Sequence, residues 1–320
     1  MLKKLVALIV MVLVVVVLFA TSQKPSQEQY KIMFIPKSSL STFWKIAIEG
    51  FETAIYEYNV YGEVRNTDSE EDVIGQSEIV REAIAEDFDA IVISANSYEA
   101  LAIPVREAMD AGLEVVVIDS DVNVPEVKVR VSTDNYNAGF NMGEKMAELM
   151  DYGGNIGVIN YDIITQNGSD RTSGFYDAIS QYDELCIVAD ITTPSDSAIA
   201  EWTTIEMIEA NEDLDGVATF NEITTVGMGK ALEELDRTDL ICVGFDNNTE
   251  VIDYLEREIV DITVIQNQFA MGYLGVEYAI RLLDGENLSD LNVDTGTHVV
   301  TRDNMYELQT ILFPFYTESE

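Results

Sequence analysis

Histidine, cysteine and proline are scarce in this sequence of 320 residues, which contains one histidine, two cysteines and six prolines. The only histidine, His298, lies in a run of β character. A histidine-based metal cluster and a Ser-His-Asp catalytic triad are therefore excluded. The low proline content, together with 47% hydrophobic residues, indicates a globular chain with one large or two medium domains.

Basic residues are also few. The chain has 18 lysines and arginines against 58 aspartates and glutamates, which gives a formal net charge of -40. Binding to nucleic acid or to an anionic membrane surface needs clustered Lys and Arg for phosphate contacts, so neither is expected. The simplest interpretation of the acidic residues is a solvated surface.

Several cofactor motifs are missing. No GxGxxG follows the first apolar run, and Gly227-Met228-Gly229-Lys230 lies in a helical stretch without the frame of a P-loop. No DxDxDG calcium loop is present either. The sequence therefore predicts no cofactor and no metal site.

The N-terminus carries a short positive start, Met1-Leu2-Lys3-Lys4, followed by an uninterrupted apolar run over 5–20. This arrangement is typical of an export signal or a membrane anchor. The run is slightly long for a cleaved apolar region of about 7–15 residues and slightly short for a membrane span of about 20. Residues 1–29 are interpreted as a signal peptide or an N-terminal anchor with a polar tether, and the location as extracytoplasmic. The sequence does not decide between a cleaved signal peptide and a retained membrane anchor.

From Tyr30 onward, apolar runs of strand length alternate with amphipathic helical stretches. Strands are predicted at 31–35, 63–66, 89–94, 114–119 and 127–131, and then at 155–161, 185–190, 216–220, 239–245 and 261–265. Helices fill the gaps, for example at 72–86 and 136–150. Two sets of five βα units predict an α/β protein with two similar lobes, each built on a doubly wound parallel sheet.

The stretch IPKSSLSTFWK, residues 35–45, reads as a strand, a loop and a helix. Pro36 ends the strand because it has no N–H to donate, and Trp44 begins a helical apolar stripe. The polar loop between them leaves the carboxyl end of a strand, which is where ligands bind in open α/β sheets.

The other strand exits are polar as well. A site for a sugar needs carboxylates, amides and an arginine for the hydroxyls, and aromatic faces for the C–H surface. The expected ligand-binding residues are Lys37, Phe43, Trp44, Ser94, Asp119, Thr133, Arg171, Asn221, Asp246 and Gln266. Phe43 is favoured as the stacking ring, because Trp44 also fits a core position. Lys37 also fits a solvated position, and Asp246 a helix N-cap.

These segments resemble the ribose-type periplasmic sugar-binding proteins, over nearly all of residues 31–301. The similar elements are IPKSSLSTFWK, Val117-Ile118-Asp119-Ser120, the R-x-x-G-F match Arg171-Thr172-Ser173-Gly174-Phe175, Phe220-Asn221-Glu222, Val243-Gly244-Phe245-Asp246 and Ile265-Gln266-Asn267. Two positions depart from the pattern: Ser41 stands where close relatives often have histidine, and Ser120 where ribose binders have a second arginine. The identity of the sugar therefore stays open.

The resemblance implies a type I periplasmic-binding-protein-like fold with a three-segment hinge. The lobes are expected at 30–133 with 267–294 and at 134–266 with 295–316. It also implies a monomer that captures a monosaccharide or a sugar-like molecule, autoinducer-2 included, and delivers it to an ABC permease.

Three other functions were weighed. A sensing receptor coupled to a membrane kinase or chemoreceptor fits the same site and stays open. A lactose-repressor-type regulator shares the fold, but it would begin with a basic helix-turn-helix. A glycosidase would need a carboxylate pair such as Asp119 and Asp246, and nothing in the sequence marks either as a proton donor. The chain is therefore interpreted as a binding protein and not an enzyme.

The two cysteines, Cys186 and Cys242, both lie in predicted strands of the second lobe. The strand order 2-1-3-4-5 of such sheets would place them three strands apart, or roughly 14 Å at about 4.8 Å per step. A disulfide needs Cα atoms within about 7 Å. Two free thiols are therefore predicted.

Overall fold

The computed structural model describes residues 29–161 and 164–306. The segment interpreted as a signal or anchor lies outside these ranges, apart from Gln29, and so do residues 307–316 of the expected second lobe. Within the described ranges, no helix combines the length and the apolar character needed to cross a membrane.

Twelve strands are formed by the described residues. In chain order they are β1 (Lys31–Ile35), β2 (Tyr61–Val64), β3 (Ala90–Ile93), β4 (Glu114–Ile118), β5 (Val129–Ser132), β6 (Gly153–Tyr161), β7 (Glu184–Thr193), β8 (Gly216–Thr219), β9 (Ile241–Phe245), β10 (Ile262–Gln266), β11 (Leu291–Asp294) and β12 (Thr297–Thr301). Central strands such as β1 and β3 are buried on both faces, which explains their continuous apolar runs.

The strands form two six-stranded sheets, ordered β2-β1-β3-β4-β5-β11 and β7-β6-β8-β9-β10-β12. The first five strands of each sheet are parallel and follow the predicted order 2-1-3-4-5. The predicted fold of two doubly wound α/β lobes is thus confirmed. Two corrections apply: β11 was not predicted, and β12, noted in the sequence only as a run of β character around His298, is a strand of the second sheet that pairs antiparallel with β10. Both are short strands at sheet edges, where burial imposes a weaker apolar pattern.

Helices cover both faces of each sheet. They are α1 (Thr42–Tyr58), α2 (Val73–Ala85), α3 (Ala102–Asp110), α4 (Asn135–Leu149), α5 (Gln166–Ile179), α6 (Ser197–Ala210), α7 (Glu222–Leu235), α8 (Thr249–Glu256) and α9 (Gln268–Leu283). The side chain of Ser41 caps α1 by accepting the N–H of Trp44, and Asp134 caps α4 in the same way. These caps fix where the loops after β1 and β5 turn into helices.

The chain passes from one sheet to the other three times: between β5 and β6, between β10 and β11, and between β11 and β12. The hydroxyl of Thr133 donates to Gln266 Oε1 at 2.8 Å, which joins the first two passages. Asp294 Oδ1 accepts the N–H of Asp134 at 3.2 Å, which joins the third to the first. The three passages therefore lie side by side at one edge of the cleft.

Cys186 lies in β7 and Cys242 in β9, with β6 and β8 between them. Both cysteines are free; Cys186 is exposed and Cys242 is buried. The strand order on which the thiol prediction depends is therefore confirmed.

Candidate ligand-binding site

A cavity lies between the two sheets at the carboxyl ends of their strands, with a free space of about 340 Å³ including its open mouth. Eight of the ten residues expected from the sequence line it: Lys37, Phe43, Trp44, Asp119, Arg171, Asn221, Asp246 and Gln266. Because parallel strands end at the same edge of a sheet, polar exits far apart in the sequence meet there.

Arg171 lies in the second turn of α5, and its side chain is 1% exposed. Its Nε donates to Asn135 Oδ1 at 2.8 Å, Nη1 to the carbonyl oxygen of Phe220 at 2.9 Å, and Nη2 to Gln266 Oε1 at 2.7 Å. The guanidinium also lies over the ring of Phe245, 4.5 Å from its centroid. The arginine fork is thus held rigidly at the floor of the cavity.

Lys37 is buried, so the alternative of a solvated lysine is wrong. Its Nζ lies 3.5 Å from Asp119 Oδ2 and donates to Asn167 Oδ1 at 3.4 Å. Asn167 Nδ2 in turn donates to Asp119 Oδ1 at 3.0 Å. Since Asn167 comes from α5 and the other two from the loops after β1 and β4, this triangle of polar groups closes the cleft.

Asp246 follows β9, as Asp119 follows β4, and both have a positive φ, 67° and 54°. Asp tolerates this left-handed backbone better than most residues, which turns both carboxylates into the cavity at equivalent strand ends. Asp246 Oδ1 accepts from Gln266 Nε2 at 2.6 Å, and Oδ2 accepts the N–H of Glu222 at 3.1 Å. Burial raises the pKa of Asp246, and nearby Arg171 opposes this shift. Asn248, not Asp246, caps helix α8.

Two aromatic rings from the start of α1 reach the cavity. Phe43 and Trp44 pack edge to face, with centroids 4.9 Å apart and an angle of 80° between the rings. The indole N–H of Trp44 donates to Glu70 Oε1 at 2.7 Å. Both rings line the cavity, so the preference for Phe43 as the stacking ring stays a prediction.

Glu222 connects the lobes directly. It is the first residue of α7, and its Oε1 and Oε2 accept the backbone N–H groups of Thr42 and Phe43 at 3.0 and 2.9 Å. These are the free N–H groups at the start of α1, which favour a carboxylate partner. Burial, with the neighbouring Asp246 carboxylate as a smaller cause, raises the pKa of Glu222 to about 7.

The other expected residues lie behind or beside this surface. Ser94 donates to Asp119 Oδ2 at 2.8 Å and does not line the cavity itself. Thr133 lines a neighbouring cavity and contacts the main one through Gln266. Asn221 lines the cavity, but its Oδ1 caps α7 at Thr224 N. Ser94 and Thr133 therefore orient the side chains that face the cavity.

Six lining residues were not expected from the sequence: Ser41, Glu70, Tyr161, Asn167, Glu222 and Ile223. Two of these six residues could have been identified from the sequence pattern. Asn167 precedes Arg171 by four positions and so shares its helix face, and Tyr161 is the last residue of β6. Glu70 could not have been identified in this way, because it lies in an acidic run that is typical of a solvated loop. Among the described residues, no group of three or more His, Cys, Asp and Glu side chains is arranged to hold a metal ion.

Comparison with known proteins gives consistent matches. The model of the periplasmic binding protein domain family matches residues 32–287. The D-apiose import binding protein of Paraburkholderia graminis is 27% identical over 222 residues, which are 67% of this chain and 69% of that protein. The D-ribose/D-allose-binding protein of Pseudomonas aeruginosa is 26% identical over 86% of this chain and 89% of its own length.

A solved structure shows the same architecture. The carbohydrate transporter solute-binding protein of Agrobacterium radiobacter, in complex with D-arabinose, has a TM-score of 0.86 and 28% identity, and the match covers 90% of this chain and all of that one. These matches confirm the resemblance based on the strand exits.

Proposed function

Because the chain belongs to the periplasmic binding protein family, we propose that it is an extracytoplasmic solute-binding protein that captures a monosaccharide and delivers it to an ABC permease. One observation carries this proposal: a buried cavity at the carboxyl ends of two sheets presents carboxylates, amides, an arginine and aromatic rings. These are the groups that hydroxyls and C–H faces require. The matched proteins support it, since their names refer to D-apiose, D-ribose, D-allose and D-arabinose.

The division of the site between the two lobes explains how a solute would be captured. Lys37 and Asp119 belong to the first sheet's loops, whereas Arg171 and Asp246 belong to the second lobe. A solute that contacts both sets stabilises the closed arrangement, and small torsion changes in the three passages suffice to open it. We propose the lobes 30–133 with 267–294 and 134–266 with 295–316 as the bodies that move.

The proposal also covers the oligomeric state of the protein, its location and its attachment to the membrane. The protein acts as a monomer outside the cytoplasm, either released after cleavage within residues 1–29 or held at the membrane by them. Mass spectrometry of the protein from its own cells distinguishes these forms, because cleavage near Ala20-Thr21-Ser22 removes the apolar run.

A thermal-shift screen against pentoses and hexoses tests the binding function. A sugar at 100 times its dissociation constant adds about 2.7 kcal/mol to the free energy of unfolding, so at least one should raise the melting temperature clearly. The shift should fall to about half or less in Arg171→Ala and persist in full in Arg106→Ala, a control at an exposed arginine. If no sugar stabilises the protein, the proposed function is wrong; an equal shift in Arg171→Ala would place the site elsewhere.

A further inference from the structure

Glu70 is the cavity carboxylate with the fewest protein partners. It lies in the turn between β2 and α2, and its Oε1 accepts the indole N–H of Trp44. Within residues 29–161 and 164–306, its second oxygen has no hydrogen-bond partner, and no Lys or Arg nitrogen pairs with it. One oxygen of this carboxylate is therefore available to a bound solute.

The other three cavity carboxylates are already engaged. Asp119, Glu222 and Asp246 each use both oxygens to accept hydrogen bonds from protein donors. Glu222 also accepts from the side-chain amide of Asn248 at 3.2 Å. Glu70 thus differs from the other three carboxylates in having one oxygen that accepts no hydrogen bond from the described residues.

The cavity carries an excess of negative charge. Four carboxylates line it, against the two cationic side chains of Lys37 and Arg171, so its formal charge is -2. Lys37 pairs with Asp119 rather than with Glu70. Desolvation raises the pKa of the half-buried Glu70, and the charge of Lys37, which pairs with Asp119, opposes this shift only in part. A positively charged solute would give Glu70 a direct countercharge of its own.

Tyr161 provides a second unused group. Its side chain is 3% exposed and lines the cavity, yet its hydroxyl has no hydrogen-bond partner in the part of the chain that the structure describes. Together with Phe43 and Trp44 it gives the cavity three aromatic rings, whose faces attract cations. The formal net charge of -40 on the whole chain attracts cations toward the cleft as well.

We propose that the preferred solute is an amino sugar or a related amine-bearing polyol, with its ammonium group bound by Glu70 and a neighbouring hydroxyl bound by Tyr161. This inference rests on the proposed function, because it assumes that the cavity binds a monosaccharide. It adds the charge class of the solute and the residue that selects it.

Titration calorimetry with matched sugars tests the inference. The probes are three triplets, in which glucose, galactose and mannose are each compared with the 2-amino sugar and the N-acetylated 2-amino sugar. The amine is cationic, whereas the parent and the amide are neutral. Since charged hydrogen bonds are roughly twice as strong as neutral ones, at least one amino sugar should bind about tenfold or more tightly than both of its neutral counterparts.

Glu70→Gln isolates the charge, since glutamine keeps the size of the side chain and an oxygen for Trp44. This variant should lose about tenfold or more in affinity for the amino sugar and much less for the neutral parent. Asp68→Asn removes a charge from an exposed neighbour in the same loop and should change neither affinity.

The outcomes separate the two proposals. Neutral sugars that bind as tightly as amino sugars, or a Glu70→Gln variant that keeps the preference, would overturn the inference and leave the proposed function intact. If neither the triplets nor the wider sugar panel bound at all, the proposed function would fail, and the inference with it.

Discussion

Arg171 is bonded through all three of its guanidinium nitrogens, to Asn135, Gln266 and the carbonyl of Phe220. Lysine at this position keeps the charge but cannot supply three diverging donors. We expect Arg171→Lys to weaken sugar binding by roughly ten- to a hundredfold. It should also lower the free energy of unfolding by about 1–3 kcal/mol, because buried acceptors lose their donor. Calorimetry and urea unfolding measure the two effects.

Arg106→Lys is the matched control for this substitution. Arg106 is exposed and its ion pair with Glu126 is long, 3.8 Å, so the change should alter neither binding nor stability. An Arg171→Lys variant with lowered stability but unchanged affinity would make Arg171 a structural residue of the cavity floor.

The two thiols should differ in reactivity. Cys186 is exposed on β7, whereas Cys242 is fully buried in β9 and burial raises its pKa. A thiol reagent should therefore modify one cysteine per folded chain and two per unfolded, unreduced chain. Cys186→Ser should abolish the reaction of the folded protein. A folded protein in which both cysteines react quickly would contradict the burial of Cys242.

At the residue scale, the sequence predicted the polar groups that directly follow apolar strands or stand in a recognised motif, and it missed groups whose position depends on how helices and loops pack. Asp119 and Asp246 were predictable because each directly follows a buried apolar run, and Arg171 because it stands in a recognised motif. Glu70 was not, since β2 is weakly apolar and the loop after it is acidic. The bond from Trp44 to Glu70 depends on the packing of α1 against that loop, which no local pattern encodes.

Helices α4 and α5 pack backbone to backbone through Gly139 and Gly174. A methyl group on Gly174 would overlap the carbonyl oxygen of Tyr136, and one on Gly139 would overlap that of Arg171. Gly174→Ala must therefore push the helices apart and separate Arg171 from Asn135. We expect a loss of about 1–3 kcal/mol in the free energy of unfolding, and weaker sugar binding, measured by urea unfolding and calorimetry.

Ser173→Ala is the control, because Ser173 is the exposed neighbour on the same helix. It should leave sugar affinity unchanged. If Gly174→Ala bound sugar normally and were fully stable, the helix contact would not be what positions Arg171. The glycine of the R-x-x-G-F element thus has a packing reason that the sequence motif alone did not supply.

At the element scale, the first five strands of each sheet were predictable to within a few residues. The expected strand at 63–66 is Tyr61–Val64, and that at 127–131 is Val129–Ser132. Leu149, the last residue of α4, is 44% exposed, although its spacing from Met142 and Met146 predicts a place on the buried face. β11 escaped prediction because it is short and alternates in burial rather than forming an apolar block, and β12, whose β character the sequence showed around His298, was not assigned to a sheet.

The closed arrangement of the whole molecule should depend on pH through Glu222. Its pKa is raised to about 7 where it bridges α7 to the start of α1. In an open cleft this carboxyl would be hydrated, and its pKa would return toward its ordinary value of about 4.5. The closed state therefore binds more protons between about pH 4.5 and 7. The contribution of Glu222 to closure is fully present below that window and is lost as the pH rises through 7.

The shift from 4.5 to about 7 corresponds to at most about 3.5 kcal/mol of closure free energy, since each pKa unit corresponds to about 1.4 kcal/mol. The unliganded protein should accordingly be more compact at pH 5.5 than at pH 8.5, and small-angle scattering measures this as a smaller radius of gyration. Glu222→Gln cannot ionise, so its radius should change less across the same range. Asp246, whose pKa is also raised by burial, faces Glu222 and titrates in the same direction. If the variant followed the wild-type curve closely, Glu222 would not be the group that couples protons to closure, and Asp246 or Glu70, whose pKa values burial also raises, would take that role.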